Sequence, residues 1–162
     1  MNHSLDNPMA SCALCPRRCG VDRTAGQVGV CGVTDTLRVA RIAPHMWEEP
    51  PISGSRGSGT VFFTGCSLRC IFCQNRTISR EGMGKTYTEE ELTAAILSLR
   101  DQGVHNINFV TPTHYTAPLA KLLEIGTGRS LIGKSTGEQK RLQLDLRRGD
   151  GNDFNNILLI CL

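Results

Sequence analysis

The chain has 162 residues, 40 % of them hydrophobic, and a formal net charge of +3. This length indicates one domain, or one domain with a small appendage, and the hydrophobic fraction allows a core of moderate size. The small charge gives no reason to expect a nucleic-acid partner or an anionic membrane surface. We therefore predict neither partner.

Eight cysteines are present, a high number for this length but a lower density than that of a small disulfide scaffold. The first ten residues lack the apolar stretch of a signal peptide. The final apolar run, ILLICL, is far too short to span a bilayer. A cytoplasmic location with reduced thiols is therefore predicted. Reduced, closely spaced cysteines favour metal binding over disulfides.

The first predicted region is a cysteine-rich metal-binding arm, residues 1–35. Within it, CALCPRRCGVDRTAGQVGVCG carries four cysteines with the spacing C-x2-C-x3-C-x11-C. Four thiolates complete a structural zinc site, and they complete a fully ligated 4Fe–4S site equally well. The arm therefore predicts a metal of either kind on Cys12, Cys15, Cys19 and Cys31.

The second predicted region, residues 36–125, alternates strands and helices. TLRVARI (36–42) alternates apolar and polar residues, as a strand does, and EEPPISGSRGSG (48–59) has the composition of a loop. TVFFTG (60–65) and NINFVT (106–111) are typical of buried strands. Between these two, Thr88 and Glu91 form a capping-box pattern before an apolar helical face, and Gly103 is placed to end that helix. APLAKLLEI (117–125) predicts another helix.

Strand, helix and strand in this order predict a βαβ unit with two parallel strands. In such sheets ligands bind beyond the carboxyl ends of the strands. Three cysteines follow the first buried strand in GCSLRCIFCQN (65–75), and TPTHY (111–115) follows the second. Both segments are therefore expected at the ligand-binding edge.

Cys66, Cys70 and Cys73 have the spacing C-x3-C-x2-C with no fourth cysteine nearby. Three thiolates can hold three irons of a 4Fe–4S cube and leave the fourth iron open. This motif, after a buried strand and with Phe72 before the last cysteine, resembles the radical S-adenosylmethionine superfamily. GCSLRCIFCQN looks most like the branch that contains pyruvate formate-lyase activating enzyme and its iron–sulfur relatives, and the wider similarity covers residues 12–125.

The resemblance implies a function as well as a fold. In that family the three cysteines bind a 4Fe–4S cluster, and S-adenosylmethionine chelates the fourth iron and is reductively cleaved to a 5′-deoxyadenosyl radical. Phe72 would lie near the adenine. Many members place Gly-Gly-Glu where this chain has TPTHY, so Thr111, Thr113 and His114 become the candidates to receive the methionine amino group. The family also implies an electron donor, and the named branch suggests another protein as substrate.

The resemblance further implies an α/β fold, an incomplete (β/α) partial barrel of the radical S-adenosylmethionine type. Only two barrel strands are recognisable in the sequence, and a complete (β/α)8 barrel takes about 250 residues. The third region, residues 126–162, is polar and poorly periodic, and we expect it to be irregular. The chain is therefore expected to be a truncated or frame-disrupted product with weak or no activity.

Two alternative functions remain open at this point. One is a non-catalytic zinc or iron–sulfur binding module. The other is a P-loop nucleotide binder, since GRSLIGKS (128–135) fits the pattern G-x4-G-K-S and Asp145 is a candidate for the acidic residue that such sites need. A P-loop follows a strand, whereas a helix is predicted before GRSLIGKS, so a chance match is the better interpretation. His105 is a weaker ligand candidate than His114, the pair Glu48 and Glu49 reads as a solvated loop, and Cys161 has no predicted role.

Overall fold

The computed structural model describes residues 7–47, 50–127, 143–147 and 153–160. In these residues six strands form one open sheet in the order β3-β1-β2-β4-β6-β5. The strands are β1 Arg38–His45, β2 Ser58–Phe63, β3 Lys85–Thr86, β4 Ile107–Val110, β5 Gln143–Arg147 and β6 Asp153–Ile160. The sequence-based prediction of an α/β fold is confirmed at this level.

Four helices and one 3-10 turn connect the strands of the described chain. They are α1 Pro50–Ser53, α2 Arg76–Ser79, α3 Glu89–Asp101, the 3-10 turn Thr113–Tyr115 and α4 Thr116–Thr127. None of these helices is long and apolar enough to cross a membrane. Helix α1 is a correction, because it lies in a segment predicted to be a loop; proline at its first position suits a helix start.

The predicted βαβ unit is confirmed. Strands β2 and β4 are parallel neighbours, with Val61 opposite Phe109. Every residue of β2 except Phe62 is buried, and three of the four residues of β4 are buried. Continuous burial is expected of strands inside a parallel sheet, since both of their faces are covered. Strand β1 pairs with β2 in the antiparallel direction and so extends the sheet on one side.

The sequence predicts an irregular tail, but the structure forms two strands in it. Strand β6 pairs with β4 in parallel, with Ile157 opposite Ile107, and β5 pairs with β6 in the antiparallel direction. The short run ILLI in β6 is branched and apolar, as a strand in a parallel sheet requires. That run was the available signal, and polar residues around it obscured it. Asp145 lies in β5.

Some predictions fall on residues outside the described ranges. The P-loop-like segment 128–135, the carboxylate pair Glu48 and Glu49, and Cys161 all lie there.

Helix α3 is fixed at both ends by its own sequence. The Thr88 side chain accepts from the Glu91 amide, and the Glu91 carboxylate accepts from the Thr88 amide, which completes the predicted capping box. Gly103 follows the helix at φ +80°, a conformation that glycine adopts without strain. The buried side of α3 consists of Leu92, Ile96 and Leu99.

The core lies between this helix and the central strands. Phe63 of β2 and Phe109 of β4 meet edge to face with ring centroids 5.5 Å apart. Tyr115, which follows β4, packs against Phe63 at 5.7 Å. Edge-to-face aromatic pairs add to the stabilisation that burial itself provides. The core therefore anchors the residues that directly follow both central strands.

Replacing Thr88 by Ala should lower the free energy of unfolding by about 1 kcal/mol, because the amide of Glu91 loses its acceptor. Urea denaturation monitored by circular dichroism measures the change. Thr88→Ser keeps the hydroxyl and should retain most of the stability. Equal stability of the Ala variant and the parent chain would show that the capping box contributes nothing to folding.

Candidate metal and cofactor site

The site is built where β2 and β4 end side by side. The three-cysteine loop begins just after β2, and the 3-10 turn with His114 begins just after β4. The His114 Nε2 atom lies 2.9 Å from the carbonyl oxygen of Thr64, the residue that follows β2. A carbonyl can only accept, so Nε2 carries the proton and donates. The structure thus joins the two segments that the sequence placed at this edge.

His114 is 1 % exposed, and this burial is the main reason that its pKa falls from the ordinary 6.5 to about 4. The imidazole is therefore neutral at pH 7. With Nε2 protonated, Nδ1 holds a lone pair, and that atom is buried without a hydrogen-bond partner among the described residues. A buried acceptor without a partner is costly, and a donor group on a bound molecule would satisfy it.

The cysteines of the loop differ in exposure. Cys70 is exposed, whereas Cys66 and Cys73 are partly buried. The buried Ser79 hydroxyl at the end of α2 donates to the Cys73 sulfur at 3.3 Å. Phe72 is 97 % exposed, so its predicted contact with an adenine remains a prediction.

Arginines hold the backbone of this loop. The Arg80 guanidinium donates to the carbonyl of Arg69 and, at 2.9 Å, to the carbonyl of Cys70. Arg17, from the arm, donates to the carbonyl of Ser67 at 3.0 Å. Arg69 itself has φ +51°, a left-handed conformation that costs a non-glycine residue energy and needs support from its surroundings. The arginine contacts supply such support.

The arm packs directly against the loop. The Cys66 amide donates to the carbonyl of Cys31 at 3.2 Å. Gly65 makes this approach possible, because it has φ +85° and a Cβ atom there would lie 2.7 Å from the same carbonyl oxygen. In the arm, Cys12 and Cys31 are buried, and the Val30 amide donates to the Cys19 sulfur at 3.4 Å.

Neither group of cysteines forms a finished metal site in the described part of the chain, where no three Cys, His, Asp or Glu side chains are gathered to hold an ion. Both metal assignments therefore remain predictions. The donor chemistry fits, since thiolates are the ligands of iron–sulfur clusters and of structural zinc. The exposed loop also leaves its sulfurs room to converge, and metal binding commonly completes the geometry of its own site.

The remaining predicted residues separate into two groups. Thr111 and Thr113 are partly exposed and lie between β4 and His114, at the same edge. His105 instead precedes β4, at the opposite end of that strand, and its Nε2 atom accepts from the Arg56 amide at 3.2 Å. The structure therefore separates His105 from the site.

Sequence reasoning missed the residues that support the site. These are Arg17, Arg23, Thr64, Ser79 and Arg80. Arg17 and Arg23 stand next to or between the arm cysteines, which was a possible signal, but their targets lie far along the chain. No local pattern reveals contacts of that kind.

In His114→Gln, the free energy of unfolding should fall less between pH 7 and pH 4 than it does in the parent chain. The histidine pKa is lower in the folded chain than in the unfolded one, so its contribution is fully present above pH 6.5 and is lost as the pH falls towards 4. The loss amounts to about 3 kcal/mol at most. Urea denaturation between pH 7 and pH 4 measures it, with the glutamine amide retaining a donor for Thr64. Parallel profiles for the two proteins would contradict a buried neutral His114.

Comparisons with known proteins agree with this architecture. Residues 60–144 match the radical SAM superfamily, a match over more than half of the chain that begins in β2 and includes the three-cysteine loop. An uncharacterized protein of Methanocaldococcus jannaschii is 32 % identical over 126 residues, which are 72 % of this chain and 36 % of that protein. The chain thus spans about a third of the length of this relative.

No solved structure matches the chain. The superfamily match and the position of the cysteine loop at the carboxyl edge of a parallel sheet support the same assignment. The chain belongs to the radical SAM superfamily, and this membership implies a 4Fe–4S cluster and S-adenosylmethionine.

Proposed function

We propose that Cys66, Cys70 and Cys73 hold the 4Fe–4S cluster of a radical S-adenosylmethionine protein. The observation that supports this most strongly is the position of the loop at the shared carboxyl end of β2 and β4. Three ligands leave one iron for the cofactor, which a site closed by four thiolates would not do. Two arginines, Arg80 and Arg17, bind backbone carbonyls of this loop and bring positive charge to it.

S-adenosylmethionine is the second ligand of the proposed site. The Nδ1 lone pair of His114 is suited to accept a hydrogen bond from the methionine amino group. Thr111 and Thr113 lie in the same segment after β4 and are partly exposed. Phe72, on the exposed loop, is available to stack on the adenine. When bound, the cluster would supply the electron for reductive cleavage of the cofactor to a 5′-deoxyadenosyl radical.

The substrate is proposed by analogy with the activating-enzyme branch: another protein, with a separate electron donor. The described sheet is open, and an open sheet shields a bound cofactor from water on fewer sides than a closed barrel does. We therefore expect cofactor binding to be more readily detected than cofactor cleavage.

A second metal in the arm is a separate proposal. Cys12, Cys15, Cys19 and Cys31 would hold zinc or an iron–sulfur cluster. The amide-to-sulfur hydrogen bond from Val30 to Cys19 supports it, because such donors stabilise a thiolate. This centre is closed and would serve folding rather than chemistry.

Anaerobic reconstitution with iron and sulfide tests the loop cluster. The reduced protein should show a 4Fe–4S spectrum that changes when S-adenosylmethionine is added, and chromatography should detect 5′-deoxyadenosine. Cys70→Ala should abolish the cofactor-sensitive signal. Cys161→Ala is the matched control, since it removes a thiol assigned to neither group, and it should retain that signal.

Three other outcomes separate the competing functions. A stable cluster that binds the cofactor without cleaving it would show that the chain keeps the cofactor site but does not carry out the cleavage reaction. A cluster that ignores the cofactor would favour a non-catalytic iron–sulfur module. Tight zinc and no cluster on the Cys66 loop would refute the proposal.

Ser79→Ala should make the reduction potential of the loop cluster more negative. The hydroxyl that donates to the Cys73 sulfur stabilises the added electron, and its loss favours the oxidised form. A redox titration followed by electron paramagnetic resonance measures the shift, with Ser79→Thr as the variant that keeps a hydroxyl. Identical potentials for the alanine variant and the parent would show that this hydrogen bond does not reach the cluster.

A further inference from the structure

Arg23 is a completely buried cation in the cysteine-rich arm, with 0 % exposure. Its guanidinium donates to the carbonyl of Thr34 at 3.1 Å and to the carbonyl of His114 at 2.6 Å. It also lies 5.5 Å from the centre of the Tyr115 ring. Its remaining contact is with the sulfur of Cys12, at 3.8 Å from Nη1.

These contacts satisfy hydrogen bonds but leave the charge of Arg23 unbalanced. The ion pairs of the described residues join Arg76 to Glu81, Arg100 to Asp101 and Lys121 to Glu89, and none includes Arg23. A guanidinium stays protonated in proteins, so it cannot escape burial by losing its proton. A buried charge without an opposite charge is strongly unfavourable. Among the described groups in contact with Arg23, the Cys12 thiol and the Tyr115 phenol can lose a proton. Burial raises the pKa of Tyr115 to about 12, so Cys12 is the group that can supply a negative charge at neutral pH.

A buried thiol is normally neutral, because burial disfavours the thiolate. A bound metal reverses this preference, since coordination deprotonates the thiol. Four thiolates around one divalent zinc carry more negative charge than the metal carries positive charge, so the whole centre is an anion. Such a centre would supply the negative charge that the buried Arg23 guanidinium otherwise has no partner for.

We propose that Arg23 is the buried counter-ion of an anionic metal centre formed by the four thiolates of the arm. The inference rests on the arm metal proposed above and adds the charge of the centre and the residue that balances it. The same guanidinium holds the backbone of His114, and the carbonyl of Cys31 receives the amide of Cys66. Metal in the arm would thereby stabilise both the three-cysteine loop after β2 and the His114 turn after β4. Arg23 acts as a positioning residue, not a catalytic one.

Zinc affinity of the 162-residue chain tests the proposal. It is measured in the Cys70→Ala background by competition with a coloured chelator. Arg23→Met removes the charge at similar length and should weaken zinc binding roughly tenfold or more, because an anion loses its buried partner. Arg23→Lys keeps the charge and should stay within about threefold of the parent, since only the fork geometry is lost. If Arg23 only filled space in the arm, the Met variant and the Lys variant would not differ in zinc affinity according to their charge.

Arg41→Met is the matched control. Arg41 is an exposed arginine of β1, outside the arm and the cysteine loop, so its loss should leave the zinc affinity within about twofold. If Arg23→Met does not fold, Arg23→Gln, which keeps amide donors without charge, takes its place and carries the same expectation.

Equal zinc affinity of the charged and uncharged variants would overturn the role of Arg23 while leaving the arm metal standing. Absence of zinc and of iron from the parent protein in the same background would refute the arm metal itself, and with it the counter-ion. Weak binding in Arg23→Met with near-normal binding in Arg23→Lys would support the proposal.

Discussion

The parallel pairing of β2 and β4 is the constraint on which the site depends. Parallel strands end at the same edge, so the cysteine loop after β2 and the His114 turn after β4 must meet there. The hydrogen bond from His114 to Thr64 locks the two ends together and fixes which imidazole nitrogen carries the proton. The core beneath, where Phe63 and Phe109 meet edge to face, keeps both strand ends in register. The loop is therefore held by buried elements, although Cys70, Ile71 and Phe72 in its middle are exposed.

Arginine side chains lie near both groups of cysteines. Arg80 and Arg17 bind carbonyls of the loop, while Arg23 lies beside the sulfur of Cys12. Clusters held by thiolates are negatively charged overall or nearly so, and arginine remains positive in any environment that a protein offers. The basic residues thus oppose the repulsion that gathering several thiolates would otherwise create. Arg17 and the hydrogen bond from the Cys66 amide to the Cys31 carbonyl also connect the arm to the loop, so the two groups of cysteines pack against each other.

Local features of the fold were predictable from the sequence, and distant contacts were not. The capping box of α3 is encoded by Thr88 and Glu91, three residues apart, and the βαβ unit follows from the order of its elements. The position of the cysteine loop follows from that order as well. In contrast, Arg23 reaches His114 across 91 positions, and Arg17 reaches Ser67 across 50. Strand β6 was missed because its apolar run is short and its pairing partner, β4, lies far away in the sequence.

We propose that the loop cluster keeps one iron open for S-adenosylmethionine. Electron–nuclear double resonance on the reduced protein, with the cofactor labelled by 15N in its amino group and by 17O in its carboxylate, tests this most directly. We predict hyperfine coupling from both labels to the cluster, and its loss in Cys70→Ala. A cluster spectrum with no coupling to either label, at a cofactor concentration that saturates binding, would show that the cofactor does not bind the open iron.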